Sequence, residues 1–181
     1  MKSKKRILAI VGSAGNNSAN LKLIEKISAL TSSDLHLTIF NRLSELPHFS
    51  PELSIENTPL KILEFRQAIL DADGIIICTP EYIFSIPSGL KNAIEWCVST
   101  TVFSNKPTGL ITASASGTKG HEELKLIMKT VETNFTDQTT LLIQGIKGKI
   151  DENGNILDSK TNNDLITFSK SFKELVERYS N

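Results

Sequence analysis

Ile7-Leu8-Ala9-Ile10-Val11-Gly12-Ser13-Ala14-Gly15-Asn16-Asn17-Ser18-Ala19-Asn20 is the stretch that decides the fold class. Residues 7–11 are apolar without interruption, which suits a strand buried on both faces. The next residues are small, polar and glycine-containing. Residues 20–30 then carry Leu21, Leu23, Ile24, Ile27 and Leu30 at close to helical spacing. Strand, loop and helix in immediate succession form the first half of a βαβ unit.

The alternation continues outward from there. Residues 36–40 read as a second strand, and residues 41–57 as a loop with Pro47 and Pro51. Thr58-Pro59 reads as an N-cap followed by proline at the first helical position, opening a helix that runs to about Asp71. Gly74-Ile75-Ile76-Ile77-Cys78 is a third, fully apolar strand. A loop with Pro80 and Pro87 precedes a helix near 89–99, and residues 108–113 form a fourth strand. A Ser/Gly-rich loop leads to a helix from about 121 to 134, and residues 139–146 form a fifth strand. Asp151-Glu152-Asn153-Gly154-Asn155 reads as a turn, and the last helix begins near Asn163 or Asp164 and ends near Arg178.

Strands alternating with helices predict an α/β protein with a parallel sheet and helices on both faces. Five strands suit the order 2-1-3-4-5, and residues 1–181 read as one domain. In such a sheet, ligands bind beyond the carboxyl ends of the strands, at the switch point between strands 1 and 3. That rule nominates the loops starting at Gly12 and Thr79, with the loop starting at Ser114 on the same edge.

Gly12 to Asn20 offers two glycines, two hydroxyls and three side-chain amides at the start of a helix. A phosphate needs donors and a backbone that comes close, and a helix N-terminus supplies free N–H groups with partial positive charge. Ser13, Ser18 and Asn20 are the candidate phosphate ligands. A Ser/Asn/Gly turn with no ligand has the same composition, and the loop alone does not separate the two. The spacing is neither G-x-x-x-x-G-K-[ST] nor G-x-G-x-x-G, so neither a P-loop nor a Rossmann fingerprint is present.

Thr79-Pro80-Glu81-Tyr82-Ile83-Phe84-Ser85-Ile86-Pro87 is stiffened by two prolines and carries two aromatics in a loop. Those rings suit bordering a flat ligand, filling a subunit interface, or covering the core as part of a rigid connector. Ala113-Ser114-Ala115-Ser116-Gly117-Thr118-Lys119-Gly120 is small and rich in donors, as a ligand-lining loop or a flexible linker would be. Lys91 and Glu95 read as a surface i,i+4 pair, and Trp96 as core or interface.

Together these residues resemble the NAD(P)H-dependent FMN reductase family of flavodoxin-like proteins. Its pattern G-S-x-R-x-x-S-x-N is matched by Gly12-Ser13 with Ser18 and Asn20. Its pattern T-P-E-Y-N-x-S-x-P-G-x-L-K-N-A-I-D-W is matched by Thr79-Pro80-Glu81-Tyr82, Ser85, Pro87 and Leu90-Lys91-Asn92-Ala93-Ile94-Glu95-Trp96. The likeness spans about the first 135 residues. It implies a flavodoxin-like three-layer sandwich that binds FMN and uses NADPH or NADH as co-substrate. It implies that Ser13, Ser18 and Asn20 hold the FMN phosphate and that Pro80, Glu81, Tyr82 and Ser85 lie around the isoalloxazine. Ser114, Ser116 and Gly117 would flank the flavin from the third loop, and the assembly would be a homodimer or homotetramer.

Three positions depart from the pattern. Gly15 stands where the family has arginine, Ile83 where it has asparagine, and Ser88-Gly89 replaces the glycine after the second proline. The phosphate cradle is therefore neutral and lacks a charge-assisted bond, which is roughly twice as strong as a neutral one. Lys119 is a candidate to restore that charge from the third loop.

Flavin chemistry needs no protein nucleophile or general base, and no residue is nominated as catalytic. His36, His48 and His121 fall on a strand, a loop and a helix start without obvious partners. The two cysteines, Cys78 and Cys97, match no metal or disulfide pattern and read as buried thiols in a reducing, cytoplasmic setting. Twenty basic residues balance twenty acidic ones and no long basic face is visible, which gives a nucleic-acid or acidic-membrane partner little electrostatic support. No apolar run approaches the roughly 20 residues of a membrane span, and the N-terminal run is shorter than a signal peptide's core of roughly 7–15. A phospho-receiver domain would need acidic residues where Gly12-Ser13 and Cys78-Thr79 stand. The remaining readings are an FMN-dependent NAD(P)H oxidoreductase acting on a flavin, quinone or similar small-molecule electron acceptor, and an FMN-binding protein with weak or no reductase activity.

Overall fold

A computed structural model describes residues 3–15 and 18–179. The strands are β1 (Lys5–Val11), β2 (Leu35–Phe40), β3 (Gly74–Thr79), β4 (Thr108–Ser114) and β5 (Thr140–Gln144). They form one parallel sheet in the order β2-β1-β3-β4-β5, the arrangement of the flavodoxin-like sandwich. The helices are α1 (Ala19–Thr31), α2 (Pro51–Ile55), α3 (Leu60–Asp71), α4 (Ser88–Glu95), α5 (Thr118–Thr130) and α6 (Ser159–Tyr179).

The unbroken apolar runs are explained by the two cores they feed. Successive side chains of a strand point to opposite faces. Leu8, Ile10, Ile75, Ile77 and Leu110 therefore join one core with residues of α3, α4 and α5. Ile7, Ala9, Val11, Ile76, Cys78, Ile111 and Ala113 join the other, with residues of α1 and α6. All six residues of β3, at the centre of the sheet, are buried.

Several boundaries differ from the sequence reading. The 41–57 loop contains a 3-10 turn (Leu43–Glu45) and the short α2, whose N-cap Ser50 accepts from Leu53 N–H at 3.3 Å. Pro59, not Thr58, is the cap of α3, because the Thr58 hydroxyl is turned to the Leu53 carbonyl at 2.8 Å. Helix α4 stops at Glu95, and Trp96 is buried with its indole N–H donated to the Pro47 carbonyl at 2.8 Å. Helix α5 begins at Thr118 rather than His121. Strand β5 is shorter than read, since 3-10 turns flank it on both sides. Helix α6 starts at Ser159, ahead of the apolar periodicity, because the Asp158 carboxylate caps the Thr161 N–H at 2.8 Å.

Arg66 of α3 is buried and donates to the Ser54 and Trp96 carbonyls and to the Ser54 and Ser99 hydroxyls. This network ties the 41–57 connection to the end of α4, behind the second loop. Among the described residues, no helix is long and apolar enough to cross a membrane.

Candidate functional site

The pairing register brings the three nominated loops together. Val11 lies beside Cys78, and Thr79 beside Thr112, so β1, β3 and β4 release their chains at one edge. The Gly12 N–H closes this edge by donating to the Cys78 carbonyl at 2.8 Å. A Cβ at position 12 would lie 2.3 Å from Thr79 Oγ1, so only glycine lets the first loop leave the sheet here.

A cavity of about 900 Å3 opens above these strand ends. Ligand pockets typically span about 300–1,000 Å3. Ser13, Ser18 and Asn20 line it from the first loop, Pro80 and Tyr82 from the second, and Ala113, Ser114 and Ala115 from the third. Residues 145–148 and 150–152 complete the wall, together with Lys22 of α1.

The donors of the first loop are partly committed. Ser18 is the N-cap of α1, and its Oγ accepts from Leu21 N–H at 3.1 Å. The hydroxyl hydrogen remains available for an outside acceptor. Ala19 and Asn20 open the helix, where backbone N–H groups have no intrahelical acceptor. Ser13 Oγ accepts from Gly15 N–H at 3.4 Å. Asn20 is buried, with its Nδ2 donating to the Ala113 carbonyl and its Oδ1 accepting from Cys78 Sγ, each at 3.3 Å. Asn20 thus lines the cavity with an amide tied to two strand ends, and the second Nδ2 hydrogen remains available for an outside acceptor. Asn16 and Asn17 lie outside the described residues.

The second loop is a tight hairpin. Tyr82 and Ser85 exchange backbone hydrogen bonds of 2.9 and 3.1 Å across Ile83 and Phe84. Both tip residues have positive φ, 51° and 58°. Such a turn favours asparagine and glycine, and β-branched Ile83 is an outlier there. Ile83 is 95% exposed and Phe84 75%, so the tip does not cover the core, and neither residue is among those that line the cavity.

Four sequence candidates do not line the cavity: Glu81, Ser85, Ser116 and Gly117. The Glu81 carboxylate accepts from the Gly117 and Gly120 N–H groups at the start of α5. Gly117, with φ 85°, is the N-cap of that helix. Lys119 is exposed and paired with Glu122 at 2.8 Å, away from the cavity wall.

The cations on the wall are Lys22 and Lys147, which the sequence reading did not select. Lys22 Nζ donates to the Asp151 and Glu152 carbonyls at 3.4 and 2.9 Å, clasping the 151–155 turn to α1. The Asp151 carboxylate is folded into its own turn by the Asn155 side chain and the Asn153 and Asn155 N–H groups, which hold its pKa below the ordinary value. Asp-Glu-Asn-Gly-Asn was legible as a turn, but nothing local connects it to a helix about 130 residues earlier.

Burial pushes the Cys78 thiol pKa up, as it does for Cys97, where nearby Arg66 offsets part of the rise and the value is about 12. Both are neutral thiols within the core. Among the described residues, no cluster of His, Cys, Asp and Glu is arranged to hold a metal ion.

The chain's relatives fit this geometry. The sequence profile of NADPH-dependent FMN reductases matches residues 5–146. A 2-hydroxy-1,4-benzoquinone reductase of a Burkholderia species is 32% identical over 173 residues, covering 92% of this chain and 93% of the relative. The NADH-dependent flavin reductase subunit 2 of Lactobacillus johnsonii is 29% identical over 184 residues, covering 96% and 98%. Among solved structures, the flavoenzyme NAD(P)H:(acceptor) oxidoreductase FerB of Paracoccus denitrificans superposes with a TM-score of 0.85 at 26% identity, covering 97% of this chain and 98% of that one.

Proposed function

The chain belongs to the NADPH-dependent FMN reductase family, and on that premise we propose that it reduces a quinone or flavin acceptor at the expense of NADPH or NADH. It is an FMN-dependent, NAD(P)H-using oxidoreductase. The observation that carries the reading is the convergence of three loops, distant in sequence, on one cavity at the switch point of the sheet. The residues present fit FMN: a hydroxyl-rich helix start for the phosphate, and mostly apolar walls with few polar groups for a flat ring.

Held in this cavity, FMN would supply the redox chemistry that links a nicotinamide hydride donor to the acceptor. The chain's own residues orient and shield. Ser13 and Ser18, with the opening N–H groups of α1, would hold the phosphate, and Lys22 and Lys147 on the cavity wall would balance its charge. Pro80, Tyr82, Ser114 and Ala115, which line the same cavity, would border the ring. Asn20 keeps the first loop seated on β3 and β4. No side chain needs to act as nucleophile or general base.

The 1–181 chain acts as one domain, assembled as a homodimer or homotetramer in the cytoplasm. The family resemblance supports the assembly, and the two free thiols support a reducing compartment. Titration with FMN tests the cofactor: bound-flavin absorbance and altered flavin fluorescence are expected. NADH and NADPH oxidation with benzoquinone, free FMN or ferricyanide as acceptor then tests turnover. No binding at tens of micromolar FMN overturns the reading.

A further inference from the structure

Glu81 lies between two cavity-lining residues, Pro80 and Tyr82, yet its carboxylate faces α5. One oxygen accepts from Gly117 N–H at 3.2 Å and the other from Gly120 N–H at 2.7 Å. These N–H groups stand at the helix start, where no intrahelical acceptor exists and the dipole favours a negative charge. A second carboxylate runs the other way. Glu123, also on α5, accepts from the Ile86 N–H at 3.0 Å. The hairpin Tyr82–Ser85 therefore lies between two ties, one just before it and one just after. Ser114 Oγ adds a longer bond, 3.4 Å, to the Glu81 carbonyl.

Gly120 makes this contact close. A Cβ there would lie 3.2 Å from both Cβ and Cγ of Glu81 and 3.3 Å from the Ser85 carbonyl oxygen. The hairpin also needs restraint from outside. Ile83 and Phe84 both occupy left-handed backbone, with almost no packing at the tip to pay for it.

We propose that Glu81 and Glu123 are positioning residues, forming a reciprocal carboxylate brace that fixes the strained hairpin against α5. The brace fixes where Tyr82 stands relative to Ser114 and Ala115, which line the same cavity. Glu81 acts through α5 and not on the flavin ring. The functional consequence rests on the FMN reading above.

Glu81→Ala, Glu81→Gln and Glu123→Ala in the full chain test the brace, with two independent readouts. The first is amide hydrogen exchange in the FMN-free protein. Either alanine variant speeds exchange at the hairpin amides of Tyr82 and Ser85 about tenfold, the scale of a lost bond to a charged group. The second is FMN affinity by fluorescence titration. Each alanine variant weakens FMN binding about fivefold or more while the far-UV spectrum stays native, and Glu81→Gln, which keeps one acceptor oxygen, recovers part of the loss. Weakened FMN binding in Glu81→Ala with none in Glu123→Ala means that Glu81 touches the ligand, and overturns the brace. Unchanged hairpin exchange in both alanine variants overturns it as well. If the unsubstituted protein does not bind FMN, the functional reading falls, and the exchange rates alone decide the brace.

Discussion

The Oδ1 of Asn20 accepts the thiol hydrogen of Cys78 at 3.3 Å, in a site where both residues are buried. With the bond from Nδ2 to the Ala113 carbonyl, one amide fastens the start of α1 to the ends of β3 and β4. Asn20→Ala leaves the Ala113 carbonyl and the thiol without this partner. The expected loss is about 1–3 kcal/mol of stability, read from urea denaturation midpoints. Asn20→Asp keeps the shape but sets a carboxylate oxygen against that carbonyl, and the loss is larger. Cys78→Ala costs less than either, because it removes the weak thiol donor and only one side of the network.

Gly12→Ala places a methyl 2.3 Å from Thr79 Oγ1 and 2.6 Å from Thr79 Cβ, at the point where the first loop leaves the sheet. Overpacking of this kind costs about 1–3 kcal/mol. Thr79→Ala does not rescue it, since the Cβ contact persists. Denaturation of the single and double variants checks both statements.

Ile83→Asn is expected to stabilise the protein. The position holds φ 51° with a β-branched side chain that is 95% exposed, so little burial is lost and backbone strain is relieved. A gain of about 1 kcal/mol follows, raising the melting temperature by about 2–4 °C. Ile83→Gly gains less, because glycine also loosens the unfolded chain. A melting temperature that falls in Ile83→Asn would show that the tip is packed against something.

His121 sets a pH dependence. Burial lowers its pKa below the ordinary 6.5, nearby Lys125 lowers it further, and Glu122 opposes both. Its Nδ1 lies 2.9 Å from Thr112 Oγ1 on β4. The unfolded chain takes up a proton near pH 6.5 that the folded chain takes up only at lower pH. This contribution to stability is complete above pH 6.5 and is lost as pH falls from there to the folded-state value. His121→Asn flattens that part of the stability profile. The aspartates with lowered pKa, such as Asp34 and Asp158, lose their contribution below their ordinary value of 3.8, and the glutamates Glu52 and Glu122 below 4.5, so these effects lie at lower pH than that of His121.

Lys22 and Lys147 bear on phosphate recognition. Replacing either with methionine is expected to narrow the preference for FMN over riboflavin severalfold, about 1 kcal/mol, with the larger effect at low salt. Lys119→Ala is the control: its ammonium is paired with Glu122 outside the cavity, so the FMN preference stays. Parallel fluorescence titrations with the two flavins measure the ratio.

Fold class is legible in the residues alone, because burial on both faces leaves a mark in the three central strands. Ile7 to Val11 and Gly74 to Cys78 are apolar at each position, and the helices between them are apolar on a helical period. The switch-point rule then located the edge where Ser13, Ser18, Pro80, Tyr82 and Ser114 meet. Helix starts were less legible wherever a cap residue precedes the apolar pattern, as Asp158 does for α6.

What each polar side chain does at that edge depends on contacts that the folded chain creates. A motif gives residue type and spacing, but hydrogen-bond partners are chosen by long-range proximity. Asn20 is tied to β3 and β4, Glu81 to the start of α5, and Lys119 to Glu122 on its own helix. Lys22 reaches the 151–155 turn across about 130 residues of chain. Such pairings leave no local periodicity, because they depend on where the sheet order sets distant loops side by side.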